Sequence, residues 1–327
     1  MRATSREQQI IELLKREPLI SQEELARRLG ITRSSAAVHI SNLMKKGIIL
    51  GRGYVFNDRA SSVVVGTSEV QTLVRGGGGQ GPRIDHRFGG FGYGVSCALA
   101  RFGMDVKVVT VVGGDREGAQ LLEAMKGQRV DTTHVLHLPE ERSERVVRVV
   151  RQEGETVYRE GHGREVFVRL VEARSWLVWN CEWLVVAPEL QATVSGGVPR
   201  SLEHPPALCT MVKGGMEAVE PELLSRFSLV VAGAREDEFE QWSARGPELV
   251  ERGAGTLVLT DGATLVRVMS PAGSVEVTLS PNQGFDLEEH LEHFLAGMVY
   301  GLSQGLPHRQ AIRIGCGIAS VAGGVRA

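Results

Sequence analysis

Cysteine is scarce in this chain: Cys97, Cys181, Cys209 and Cys316 are the whole complement, widely scattered. That spacing excludes a paired-cysteine metal site and a disulfide framework, and predicts a reducing compartment. No apolar run approaches the roughly 20 residues needed to cross a bilayer. The first 17 residues are too dense in charge for a secretory leader, so a cytoplasmic protein with no membrane partner is expected. Glycine is plentiful, yet residues 76–81 are not followed by Gly-Lys-Ser/Thr and cannot be a phosphate-binding P-loop. An excess of either charge is missing overall, since the formal net charge is −2. The split is uneven: residues 1–60 hold 11 Lys/Arg against six Asp/Glu, leaving 26 against 33 in the rest. A basic head on an acidic body suggests that the head alone meets a polyanion.

Two domains are expected, residues 1–58 and 60–327. In the head, the pattern predicts three helices. The first begins at Ser5, with Gln8 completing a capping box, and stops before Pro18. The second is capped by Ser21 with Glu24 as box partner, and ends at Gly30. Thr32 caps the third, which carries Ala36, Ala37, Ile40, Leu43 and Met44 to Gly47. The short link at Ile31 is the tight turn of a helix-turn-helix. Residues 48–56 read as two short strands around Gly51-Arg52-Gly53, a wing. Residues 5–57 resemble the winged helix-turn-helix of bacterial regulators.

That resemblance places the start of the third helix in the major groove of duplex DNA. Thr32, Arg33, Ser34, Ser35 and, one turn on, His39 then lie near the DNA, with Arg33 suited to guanine. Lys45, Lys46 and Arg52 suit phosphate contacts.

The body alternates strand-like and helical stretches: residues 62–66, 106–112, 183–187, 228–231 and 255–260 as strands, 236–252 and 310–323 as helices. This predicts a mostly parallel sheet covered by helices. Residues 145–151 and 155–159 alternate as a hairpin. Residues 275–279 form a strand leading into a helix capped by Asp286, with Glu289 placed to reach back to the cap.

Two stretches carry a second resemblance. Gly89, Gly90, Ala98, Leu99, Ala100, Gly103, Gly113, Asp115 and Gly118 fall at positions of the N-terminal signature of ribokinase-like (PfkB) carbohydrate and nucleoside kinases. Asp286, Phe294, Ala296 and Gly297 match the ends of that family's Asp-x-x-Gly-Ala-Gly-Asp-x-Phe-x-Ala-Gly motif. The resemblance implies an α/β fold class: a ribokinase-like sandwich with a small β lid, here behind a winged helix-turn-helix. In the family, a homodimer often forms through the lid.

The departures concentrate on the chemistry. The Gly-Ala-Gly-Asp core reads Glu289-His290-Leu291-Glu292, leaving Glu292 at the position of the family's catalytic base. The sugar-binding Asp is replaced by Gln71 and the sugar-binding Asn by Gly94. The family's Asn-x-x-Glu, which organises Mg²⁺, reads Arg235-Glu236-Asp237-Glu238. The ligand-side positions implied are therefore Gln71, Gly89, Gly90 and Gly94. No metal site is expected, Glu238 serving as one only in an active kinase. Glu288, Glu289 and Glu292 crowd a helix start that would have to take polyphosphate. Like charges ~4 Å apart cost about 1 kcal/mol in water and about 4 kcal/mol when partly buried, against roughly 0.3–1 kcal/mol from a helix N-terminus. Arg235 is expected to pair with Glu238 or Glu292 and relieve part of that repulsion.

These residues predict a DNA-binding regulator whose kinase-like body senses a sugar or nucleoside, or only dimerises, without a cofactor. The competing expectation is an ATP- and Mg²⁺-dependent carbohydrate or nucleoside kinase, pseudouridine-like substrates included, with an autoregulatory head.

Overall fold

The computed structural model describes all residues except 1–3, 18–19, 47, 50–58, 77–80, 152–153, 200–201, 203 and 324–327. The chain divides into two compact units: Met1–Arg59 with Pro199–Pro205, and Ala60–Val198 with Pro206–Ala327.

The head contains α1 (Ser5–Arg16), α2 (Gln22–Leu29) and α3 (Arg33–Lys45). Apolar residues at helical spacing give these short helices one core: Ile10, Leu14, Ile20, Leu25, Ala26, Ala36, Ile40, Leu43 and Ile49. The cap of α1 is Thr4 rather than Ser5, and its box partner is Glu7 rather than Gln8. Thr4 adopts the extended backbone a cap needs, and its hydroxyl accepts the Glu7 N–H. Ser21 and Thr32 cap α2 and α3 as expected. The box at Ser21 is not completed, because the Glu24 carboxylate goes to Arg27 and Arg28. The wing at Gly51–Gly53, with Arg52, lies outside the described residues.

In the body, chain order runs β1 (Ala60–Val65), β2 (Glu69–Arg75), β3 (Arg83–Gly89), α4 (Phe91–Arg101), β4 (Val106–Val109), β5 (Val111–Gly113), α5 (Arg116–Gly127), β6 (Leu136–Leu138), β7 (Glu144–Arg151) and β8 (Gly154–Glu160). There follow α6 (Arg164–Ala173), α7 (Ser175–Val178), β9 (Cys181–Val186), α8 (Gln191–Gly196), β10 (Ala207–Lys213), α9 (Pro221–Leu224), β11 (Leu229–Gly233) and α10 (Glu236–Glu251). The C-terminal part holds β12 (Thr256–Thr260), β13 (Leu265–Ser270), β14 (Gly273–Thr278), α11 (Leu287–Ser303) and α12 (His308–Gly323).

Eight strands form the main sheet in the order β14-β13-β12-β11-β10-β9-β1-β4. Its six central and distal strands, β12 to β4, are parallel, whereas β13 and β14 turn back antiparallel. Val63–Val65, buried on both faces, show why these strands read as continuous apolar runs. The strand expected over residues 106–112 breaks at Thr110: β4 stays in the main sheet, and β5 leaves it to pair with β6.

A second sheet, β3-β2-β7-β8, is the lid. The hairpin β7–β8 is legible in the sequence; β2, pairing parallel to β7 and antiparallel to β3, is not. Against the core, α11 packs on α4 and α12. A Cβ at Gly297 would stand 2.5 Å from the Gly315 backbone, and one at Gly301 2.7 Å from Ala311. Small residues thus set the close crossing of α11 and α12.

Candidate functional site

In the head, Gly30 takes the left-handed conformation (φ 62°) that ends α2. The Ile31 N–H donates back to the Ala26 carbonyl at 3.0 Å, and Thr32 accepts from the Ser35 N–H at 3.1 Å to start α3. Thr32 is therefore occupied as a cap. Arg33, Ser34 and Lys45 are exposed, while Ser35 and His39 are half-buried. Lys46 is placed differently from the phosphate-contact expectation: its ammonium donates to both carboxylate oxygens of Glu7, at 2.7 and 3.0 Å. Glu7 is only 2% exposed. Burial pushes its carboxyl up, but the bonds from Lys46 and Thr4 outweigh this and hold it below the usual range. The pattern missed Val38 and Ser41, which share the exposed face of α3 with Ser34 and Lys45. Val38 is 59% exposed, an apolar side chain with no core to fill.

In the body, a cleft of about 570 Å³ opens beneath the lid. Its wall carries Gln71, which donates to Glu69 at 2.7 Å and accepts from Arg87 at 2.8 Å. Gly89 and Gly90 stand at the end of β3 and the start of α4. A Cβ on Gly89 would meet the Gln71 amide at 2.5 Å, and one on Gly90 (φ 86°) the Thr67 carbonyl oxygen at 2.7 Å. Both glycines are there because backbone and side chain close on them, whatever the ligand.

Gly94 and Glu292 stand against each other. A Cβ on Gly94 would lie 3.1 Å from Glu292 Cγ. The longer acidic side chain fills the space that a residue with a side chain at position 94 would need. Glu292 is 16% exposed, with Lys213 Nζ 4.0 Å away. Burial pushes its carboxyl up, and Lys213 opposes the shift.

At the start of α11, Asp286 Oδ1 accepts the N–H groups of Glu288 at 2.8 Å and Glu289 at 3.2 Å. The expected return bond from Glu289 does not form, because its carboxylate faces Arg87 at 3.3 Å and Arg148 at 4.0 Å. Lys213, at the end of β10, donates to the Glu288 carbonyl and lies 4.0 Å from the Glu288 carboxylate. The three carboxylates are thus matched by Arg87, Arg148 and Lys213. Among the described residues no ion pair joins Arg235 to Glu238 or Glu292; Lys213 takes the role expected of Arg235. Glu238 lies near Gly214 and Gly215, and among the described residues no His/Cys/Asp/Glu group is arranged to hold a metal.

A larger cleft, of about 1180 Å³, is lined by Asp286, Arg235, Gly262, Ala263, Gly284 and Phe285 among others.

The lid's base is pinned by Asp115. It caps α5 through the Gly118 N–H (2.9 Å) and accepts from the Ser143 N–H (3.0 Å), the Ser143 hydroxyl (2.6 Å) and Arg145 (2.8 Å). Burial acts against the charge, yet these bonds depress its carboxyl to about 2. Glu144, two residues beyond Arg142, is the opposite case. It is 6% exposed, and burial, with Glu69 and Glu189 adding to it, raises its carboxyl to about 7. Neither Glu144 nor Lys213 carried a sequence signal; each reaches the cleft through a strand end that only the topology brings there.

A family model for winged helix-turn-helix DNA-binding domains matches residues 5–49, and that of the pfkB family of carbohydrate kinases matches residues 60–174. The uncharacterized sugar kinase YeiI of Escherichia coli K12 is 33% identical over 161 residues, covering 47% of this chain and 44% of that protein. The match therefore spans less than half of that relative's length. Ribokinase from Thermotoga maritima has a TM-score of 0.64 at 15% identity, over 80% of this chain and 92% of that one. Arabidopsis thaliana ribokinase, complexed with ribose and ATP, gives 0.63 at 17% identity over 82% and 94%. A Burkholderia thailandensis nucleoside kinase in complex with inosine gives 0.61 at 14% over 79% and 90%. The chain thus carries a winged helix-turn-helix region followed by a PfkB region with the ribokinase fold. Among the described residues no helix is long and apolar enough to cross a membrane.

Proposed function

We propose that this protein is a DNA-binding transcriptional regulator whose ribokinase-fold body reads a small polar ligand, a sugar or nucleoside, and does not transfer phosphate. The reading rests above all on the start of α11. A phosphate bound there would need free N–H groups and a net positive field. Instead Asp286 takes the Glu288 and Glu289 N–H groups, and Arg87, Arg148 and Lys213 are engaged with carboxylates. A triphosphate does not fit that arrangement, so no phosphoryl-transfer step is derived through it. In the head, Arg33 and Ser34 would meet base edges, Val38 would suit a thymine methyl, and Lys45 a phosphate. A cytoplasmic homodimer would place two such helices on paired half-sites.

The test has two arms. Selection of genomic fragments by the full chain is expected to enrich one sequence family, with binding that weakens steeply as salt rises. Arg33→Ala is expected to relax sequence preference at a cost of roughly 1–3 kcal/mol. Failure to enrich any sequence refutes the regulator. Calorimetric titration with ATP and Mg²⁺ is expected to show no micromolar binding.

One observation favours the alternative, a carbohydrate or nucleoside kinase: the cleft beside Gly262, Gly284 and Phe285 is roomy enough for a nucleotide. Glu292 would then be the base, ATP and Mg²⁺ the co-substrates, and Glu238 the metal-side carboxylate. Micromolar ATP binding that ADP competes and Glu292→Ala abolishes would put this reading first.

A further inference from the structure

We propose that the ligand read beneath the lid carries a protonated amine, held by Glu144, Glu69 and His162. This rests on the reading of the body as a binder of small polar molecules, and names the chemistry of its ligand.

The first observation is an imbalance of charge partners. Glu69 and Glu144 face the cleft and are each 6% exposed, with Glu189 exposed at the same wall. The cations around them are already engaged. Arg145 is 2.8 Å from Asp115, Arg148 is 2.9 Å from Glu155, and Lys213 is held at Glu288 and Glu292. Arg159, 67% exposed, stands 3.6 Å from Glu69. Among the described residues no cation lies within ion-pair distance of Glu144. Its polar partner is the His162 backbone N–H, at 3.2 Å. A buried carboxylate without a counter-charge is costly, and burial accordingly raises this one.

The second observation is independent. His162 lines the same cleft, and its side chain is only 3% exposed. Its Nδ1 lies 2.8 Å from the Glu141 carboxylate, which can only accept, so Nδ1 carries a proton. Nε2 has no partner. In the neutral ring Nε2 is therefore an acceptor, and a buried acceptor left unmatched is destabilising. Acceptors thus converge on the cleft from β2, β7 and the end of β8, with one exposed arginine as the nearby competitor. A hydroxyl offers one donor and no charge. A primary ammonium offers three donors and the missing charge.

The experiment is calorimetry on the full chain with matched pairs: D-glucosamine against D-glucose, and the 5′-amino analogue of adenosine against adenosine. In at least one pair the amine is expected to bind about tenfold tighter or better, the equivalent of one charge-assisted hydrogen bond. Glu144→Gln keeps the acceptor for the His162 N–H but removes the charge, and is expected to erase the preference. His162→Phe is expected to reduce it several-fold, and serves alone if the first variant does not fold. Equal binding within both pairs, or a preference that survives in these variants, overturns the amine assignment while leaving the ligand-reading body standing. Absence of binding by every member overturns both.

Discussion

Residues 89–118 and residues 286–297 carry the two halves of one family pattern, and they have fared differently. In the first, Gly89, Gly90, Gly103, Gly113, Asp115 and Gly118 stand where the pattern requires, and Gly94 departs from it. In the second, the ends are kept and the centre is rewritten. The kept glycines are held by the fold itself, by close packing at Gly89, Gly90, Gly113, Gly118 and Gly297 and by a positive φ of 80° at Gly103. A Cβ at Gly113 would fall well inside contact with the backbone of Arg142 and Ser143. Asp115 ties α5 to the start of the lid, and Gly297 lets α11 approach α12. The changed positions, 71, 94, 235 and 289–292, include those whose side chains in a kinase would serve the ligand or its metal. Architecture and chemistry can therefore separate within one domain, because packing constrains the first and only substrate constrains the second.

The sharpest way to break this comparison is Gly113→Ala. The clash is with backbone, which cannot rotate away, so a loss of roughly 3 kcal/mol or more is expected in denaturant titration of the body. A loss under about 1 kcal/mol would show that the retained glycine is not held by packing.

The head offers a parallel contrast between Lys46 and Arg33. Lys46→Ala strands the buried Glu7 carboxylate and is expected to cost the head roughly 2–3 kcal/mol. Arg33→Ala, on an exposed helix start, is expected to change stability by less than about 0.5 kcal/mol while altering DNA preference. Thermal melts of both variants, with DNA titrations, separate the roles; equal melting of Lys46→Ala and the parent would return Lys46 to the phosphate contacts.

Glu144 gives the comparison a pH axis. Its folded carboxyl titrates near 7 against an ordinary value of 4.5, so folding disfavours its ionisation. The folded state is not penalised below the unfolded value; the penalty grows as pH rises from there and is complete above about 7. Glu144→Gln is accordingly expected to gain roughly 1–3 kcal/mol at pH 8 and nothing near pH 4. Glu69, Glu189 and Arg159 face the same group, and their effects are common to both proteins. A pH-independent difference would remove the buried-acid account.

The smallest effect concerns the rewritten centre. Gly94→Asn alone crowds Glu292, while Glu292→Asp makes room. A double-mutant cycle is expected to show coupling on the order of 1 kcal/mol in favour of the pair. Additivity would mean that the two replacements are unrelated.

Much of this is legible in the sequence. Continuous apolar runs such as Val63–Val65 identify buried parallel strands, because burial on both faces leaves no polar alternation. Asp286, Ser21 and Thr32 announce their helices, since a short oxygen-bearing side chain is the local solution for unpaired N–H groups. Thr4 and Ser5 are both capping residue types, and only the extended backbone of Thr4 decides between them. The strand β2 was hidden because Glu69, Gln71 and Thr72 look like loop residues until the lid pairs them.

The two-part architecture, the family pattern and the positions at which that pattern fails can be read from the residues alone, because they depend on local periodicity and spacing. Only the tertiary structure decided which charges meet. Lys213 rather than Arg235 faces Glu292, Lys46 faces Glu7, and Glu144 stands beside the His162 N–H with no cation among the described residues within ion-pair distance. Those pairings join residues 18, 39 and 79 positions apart, and Coulomb interactions act through space, not along the chain.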